Sequence, residues 1–211
     1  MKRQAPSPLL LMLALFAILA GCSLFSTRTP EPPNTANTFI WIPATSPDIL
    51  IQNLTGTLDL LDATDYIRVF VSPTDSTTSS QKTFAFHPAP NQNSQTIFAN
   101  WTTQSELAWV QKLSLALPPK SKLIVTFSNL LPDQSGGSNS ATYSTNYAIS
   151  IPTSSSTSTI PSIVQGNLQM QLALVSTYLG TKEWRIVSWS DNLPKNGSDT
   201  TWTYLKAQLS S

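Results

Sequence analysis

One stretch constrains the fold more than any other: Ile163 to Asp191, reading IVQGNLQMQLALVSTYLGTKEWRIVSWSD. Its alternation of apolar and polar residues predicts two long antiparallel strands, 167–179 and 182–191, joined at Gly180-Thr181. Glycine at the first position of a two-residue loop suits a type II′ turn, whose twist matches the flanking strands. In that register Thr177 faces Trp184, Val175 faces Ile186 and Ala173 faces Ser188. The other side pairs Leu174 with Val187 and Leu172 with Trp189, and extends to Met170 and Leu168. Trp184 and Trp189 then have opposite parity, so only one indole points inward. The richer face of Leu168, Met170, Leu172 and Leu174 assigns Trp189 to the inside and Trp184 to the outside, and a one-residue slip at the turn would disturb this pairing. Both faces are apolar near the turn. Each needs cover.

The elements before the hairpin suggest what supplies it. Ser46-Pro47-Asp48 is a helix start, with a hydroxyl cap, proline at the first helical position and a carboxylate at the positive end of the dipole. Leu50, Leu54, Leu58 and Leu61 fall on one face of a helix over 46–61, which Gly56 weakens by about 1 kcal/mol. Asp62 to Asp65 opens a second helix, 63–71, carrying Tyr66, Ile67, Val69 and Phe70 and stopped at Ser72-Pro73. After a polar loop from Thr74 to Lys82, Thr83-Phe84-Ala85-Phe86 predicts a strand ending at His87-Pro88, and Thr96 to Ala99 a second short one. Thr103-Gln104-Ser105-Glu106 has capping-box spacing and opens a third helix, 103–113, with Leu107, Val110 and Leu113 inward and Trp109 beside them. Lys122 to Leu130 and the alternating Tyr143, Thr145, Tyr147, Ile149 and Ile151 are strands around a Gly136-Gly137 loop, and a Ser/Thr loop at Thr153 to Thr159 leads into the hairpin. Asn192 to Thr200 is a turn-rich exit, and Trp202, Tyr204 and Leu205 let the C-terminus dock. Helices grouped ahead of a four-strand meander indicate α+β, with an antiparallel sheet and helices packed on one of its faces.

The N-terminus predicts an address. Lys2 and Arg3 precede an apolar run, Leu9 to Ala20, too short to span a bilayer comfortably. It ends in Leu19-Ala20-Gly21-Cys22, which resembles the lipobox of bacterial lipoproteins at every position. The resemblance implies removal of residues 1–21 as a signal peptide and acylation of Cys22, whose thiol is nucleophilic enough to accept a lipid. Several acyl chains on Cys22 would hold the chain on a lipid bilayer. Ser23, rather than aspartate, after the cysteine implies the outer membrane, on its periplasmic or surface side. Residues 22–44 are expected as a tether, Pro- and Thr-rich to Thr38 and then carrying the apolar strip Phe39 to Pro43, which packs onto the domain; 45–211 form one domain.

Composition removes several function classes. Without Lys2 and Arg3 the chain has 10 basic and 11 acidic residues, and charged residues make up 11%, well under the usual quarter. There is no basic stripe for nucleic acid, and Ser, Thr, Asn and Gln do the solubilising. One histidine and one cysteine leave no Ser-His-Asp, Cys-His or histidine-rich metal site and no intrachain disulfide. No phosphate-cradling glycine loop is present. No cofactor and no metal are expected.

A SPDILIQNL-type helix start, a short helix around Asp65-Tyr66, FAFHP and a terminal hairpin reading EWRIVSWSD resemble the nuclear transport factor 2-like superfamily, which includes ketosteroid isomerases and SnoaL-type polyketide cyclases. That resemblance implies a curved sheet wrapped around helices into a cone. It also implies an apolar pocket for a small ligand and dimers formed through the outer sheet face. Tyr66, Phe84, Phe86, Trp109 and Trp189 are the residues expected to line the pocket. Catalysis there would need an ionisable group inside the cone. Asp65 reads more readily as a helix cap, His87 as a strand-end histidine and Asp191 as a group that turns the chain at the hairpin's end or bonds loop amides. Asp59, Asp62 and Asp65 read as caps across a helix break rather than as calcium ligands. No catalytic residue is therefore assigned. The expectation is a membrane-anchored, non-catalytic binding module acting through its pocket or its outer sheet face, with a periplasmic enzyme of isomerase or cyclase type as the alternative.

Overall fold

The structure, a computed structural model, describes residues 39–77, 83–90, 95–133, 137–153, 159–195, 197 and 200–210. The signal segment, Cys22 and the tether to Thr38 lie outside the described residues, as do Gly136 and parts of the loops expected at 74–82 and 153–159.

Helix α1, Pro47–Asp59, forms as its capping signals dictate: the Ser46 hydroxyl accepts the Ile49 amide at 3.3 Å, and Leu50, Leu54 and Leu58 are fully buried. The chain before it is already folded onto the domain. Asn53 exchanges hydrogen bonds with the Ile42 backbone, and the Trp184 amide donates to Ala44 O at 2.7 Å. A Cβ on Gly56 would stand 2.3 Å from Cε2 of Phe39, so this glycine trades helix propensity for close packing of the lead-in segment. Helix α2 is shorter than expected, Ala63–Tyr66, and tightens into a 3₁₀ turn over Ile67–Val69. Its cap is Asp62, which accepts the Asp65 amide at 3.1 Å.

Two short strands follow, β1 (Ser76–Thr77) and β2 (Ala85–His87). Thr96 to Ala99, expected as a short strand, lie instead in and just after a short helix α3, Gln95–Phe98, that packs Phe98 against Phe86 and Trp101. Helix α4, Thr103–Ala116, starts one residue earlier in its capping pattern than the sequence suggests. Thr102 is the cap and Ser105 the residue that reaches back to it, at 3.1 Å. That shift frees Glu106 from the helix end, turns it inward with Trp109, Val110 and Leu113, and leaves Leu107 half-buried.

The meander is β3 (Ile124–Asp133), β4 (Ser140–Ser150), β5 (Ile163–Ser176) and β6 (Lys182–Asn192), and the sheet order is β2-β6-β5-β4-β3 with β1 on β5. Four strands pair antiparallel as expected, but β2 runs parallel to β6, so the sheet is mixed. Side chains of α1, α2 and α4 join those of the strands in one buried core. No helix among the described residues is long and apolar enough to cross a membrane.

The hairpin forms where expected, in a different register. Its loop has three residues, Tyr178 to Gly180: Gly180 N–H donates to Thr177 O, and Thr177 N–H to Thr181 O, each at 2.8 Å. Gly180 takes φ +78° after that turn, so its left-handed conformation closes a bulged three-residue loop rather than opening a II′ turn. Pairing consequently runs Leu174 to Trp184 and Leu172 to Ile186, then slips at a β-bulge by Val187 to Met170 with Trp189. Directly paired residues share a face, so the extra residue cancels the odd spacing between the tryptophans. Trp184 and Trp189 both face inward. Assigning Trp184 and Ile186 to the outer face is therefore wrong; Ala173 and Val175 remain there, paired with Arg185 and Glu183.

The C-terminus forms an element that the turn-rich exit concealed, α5, Trp202–Ser210. Trp202, Thr203, Leu205 and Lys206 are all fully buried.

Candidate functional site

The sheet register and the helix faces converge on the side chains that α5 meets. Phe86 on β2 lies beside Trp189 on β6, and Trp189 beside Met170 on β5. From the helices come Tyr66, Trp109 and Glu106. All five residues expected to line a pocket are buried: Tyr66 and Trp189 fully, Trp109 at 1%, Phe86 at 6% and Phe84 at 7% exposure. Phe84 packs on Phe70 at 4.5 Å between ring centroids, one layer from the others. The structure brings Phe86, Trp109 and Trp189 together around a group that sequence reasoning missed, and Tyr66 joins it through Glu106.

That group is the Lys206 ammonium. It lies 4.0 Å from the Phe86 ring centroid and 4.9 Å from that of Trp189, with Trp109, Trp101 and Trp202 at 5.4 to 5.9 Å. It forms an ion pair with Glu106 Oε1, and both side chains are inaccessible to solvent. Glu106 Oε1 also accepts Trp101 Nε1–H at 2.7 Å, and Oε2 accepts the Tyr66 hydroxyl at 2.8 Å. A buried carboxylate is thus met by one cation and two neutral donors. The ammonium is enclosed by aromatic faces, an arrangement worth about 2 kcal/mol or more when desolvated. Burial pushes the Lys206 pKa down, against the pull of Glu106 and Asp191; burial and the Glu106 charge push the Tyr66 phenol well above its usual value.

A second buried carboxylate anchors the other end of α5. Asp191 Oδ2 accepts the Thr203 amide at 2.7 Å and its hydroxyl at 2.6 Å, and Oδ1 accepts the Tyr147 hydroxyl at 2.7 Å. Tyr147 in turn accepts the Trp202 amide at 2.7 Å. Two of the first amides of α5, which have no partner within the helix, are satisfied by a strand carboxylate and a phenol. Burial raises the Asp191 pKa against these bonds, and burial with the Asp191 charge raises that of Tyr147. The Tyr147 ring reaches this position across Gly166, its partner on β5. A Cβ there would stand 2.5 Å from the phenol oxygen and 2.8 Å from Asn192 O. Gly166→Ala is therefore expected to cost about 1–3 kcal/mol. A denaturant midpoint unchanged from wild type would show that the tyrosine does not need the gap.

The other residues weighed from the sequence are not in this interior. Asp65 pairs with Arg68 at 2.7 Å instead of capping α2. His87 is exposed and lies in register with Ser190, on the outer face. Asp59 Oδ1 holds the Val125 amide at 2.9 Å. Among the described residues no group of three or more His, Cys, Asp or Glu is placed to hold a metal ion.

Glu106 and Lys206 had a signal of a weak kind. Glu106 shares a helix face with Trp109, Val110 and Leu113, and Lys206 shares one with Trp202 and Leu205. Opposite charges on two apolar stripes, 100 positions apart, suggest a buried pair.

No family model matches the chain, and no curated protein matches it. Solved structures do. A protein of unknown function from Mycobacterium tuberculosis aligns at 12% identity over 77% of this chain and 88% of its own, with a TM-score of 0.47. A putative dehydratase of the NTF2-like family from Streptomyces avermitilis aligns at 8% identity, over 70% and 92%, with a TM-score of 0.46. The beta subunit of a benzoate 1,2-dioxygenase from Burkholderia mallei aligns at 12% identity, over 71% and 89%, with a TM-score of 0.47. The class that fold and site define is an α+β sheet-and-helix domain whose interior is filled by its own C-terminal helix.

Proposed function

We propose that the chain is a bacterial lipoprotein held on the outer membrane through Cys22, whose nuclear transport factor 2-like domain binds a partner without catalysis, at the outer face of its sheet. The observation that carries the binding reading is Lys206: its ammonium, with Trp202, fills the aromatic interior where a substrate of an isomerase or cyclase would have to lie. Glu106 is neutralised there by the same lysine, and Asp191 is committed to the α5 amide, so neither carboxylate is free to act as a base. The anchor is supported by the lipobox-like Leu19-Ala20-Gly21-Cys22.

Replacing Cys22 with alanine should move the protein from the membrane to the soluble fraction. If that variant stays on membranes with its signal cleaved normally, the anchor is ruled out. Loss of a measurable turnover in Asp191→Asn, with folding intact, would favour the enzyme reading instead.

A further inference from the structure

Away from the turn, where Ala173, Val175, Glu183 and Arg185 lie, the outer face over β3 to β6 presents mainly uncharged hydrogen-bonding side chains in register. One row runs Ser128, Asn146, Asn167 and Asn192 across β3, β4, β5 and β6; the next runs Leu131, Ser144, Gln169 and Ser190. A depression of about 400 Å³ lies over these rows, beside the bulge where Asn129 takes φ +55°. A second, of about 330 Å³, adjoins it through Asn146 and Asn167 and reaches Gln165 and Lys195. Asn129, Asn146, Gln165, Gln169 and Asn192 make no side-chain hydrogen bond among the described residues, and Asn167 uses only its Nδ2, on Leu193 O at 2.9 Å.

We propose that this face is a binding site for a neutral glycan, an inference that rests on the surface-binding reading above. A charged ligand would find little to pair with: among the described residues lining the two depressions Lys195, at the margin, is the one charged side chain, and His87 lies beyond Ser190 on β2. An apolar ligand would bury amides without partners, at about 1–3 kcal/mol each. A chain of hydroxyl groups supplies both donors and acceptors, and each free amide offers one of each kind in fixed geometry. The Asn146, Asn167 and Asn192 amides recur at the strand spacing of about 4.8 Å, comparable to one sugar ring, so an oligosaccharide laid across the strands meets an amide at each step. Leu131, 65% exposed at the rim, gives the less polar face of a sugar ring a place to rest.

The test is calorimetric titration of the full chain in nanodiscs with chitohexaose and with maltohexaose. At least one hexasaccharide should bind, and the Asn146→Ala/Gln169→Ala variant should bind it about tenfold more weakly at unchanged melting temperature, since both positions are on the surface. No heat from either sugar, or binding that the double variant leaves intact, overturns the proposal. So does sedimentation showing a dimer that Asn146→Arg separates, because a second copy would then cover the face. None of these outcomes alters the fractionation of the Cys22 variant, so the anchor and the glycan site fail separately.

Discussion

Lys206→Ala should destabilise the domain by about 3–5 kcal/mol, the cost of leaving a buried charge without its partner. For a domain of this size that lowers the melting temperature by roughly 10 °C. The charge left behind is Glu106, inaccessible to solvent and then held only by Trp101 and Tyr66. Lys206→Met refills most of the volume and should recover little, because volume is not what is lost. The double variant Glu106→Gln/Lys206→Met should recover most of the deficit, since no charge is then buried, and the amide oxygen still accepts from the indole while its NH2 can donate to the phenol oxygen. A double-mutant cycle by chemical denaturation measures this directly. Additive losses would mean that the ammonium and the carboxylate do not interact, and that the aromatic enclosure alone holds α5.

Alkaline pH should unfold the domain, with the loss setting in above pH 10. Tyr66 and Tyr147 both have phenol pKa values raised by burial and by a neighbouring carboxylate. Above their ordinary value of 10.0 the folded chain keeps two protons that the unfolded chain gives up, so stability falls as pH rises. Each phenol contributes a slope of up to about 1.4 kcal/mol per pH unit. Lys206 acts in the opposite sense. Its pKa is lowered in the fold, so between that lowered value and 10.5 the unfolded chain binds the extra proton and stability rises with pH. Past 10.5 the lysine adds nothing further, and the phenols decide. Melting temperatures from pH 8 to 11.5 should hold or rise slightly and then drop, and Tyr147→Phe should reduce the drop. A flat profile to pH 11.5 would show that both phenols ionise within the fold.

What the sequence determined by itself was everything carried by local chemistry and short periods. The Ser46-Pro47-Asp48 start, the leucine stripe of α1, the alternation of β4 and the existence of the long hairpin follow from capping groups and from side chains three, four or two residues apart. Register did not follow. Gly180 is compatible with two loops that differ in where the strands begin to pair, and the choice rests on Thr177 and Thr181 hydrogen-bonding across the loop. The bulge at Val187 then reversed the face of every residue between it and the turn, which no alternation within β6 alone could reveal. The parallel pairing of β2 was hidden for the same reason, since three residues carry no direction.

The interior was decided by tertiary structure alone. Glu106 reads in sequence as a helix-capping carboxylate, and Lys206 carries no expectation of its own. Each is tolerable in an apolar core only because the other is there. A charge on an apolar stripe has no meaning until its partner is placed beside it, and here the partner is 100 residues away, brought in by a helix whose first amides are held by Asp191 and Tyr147.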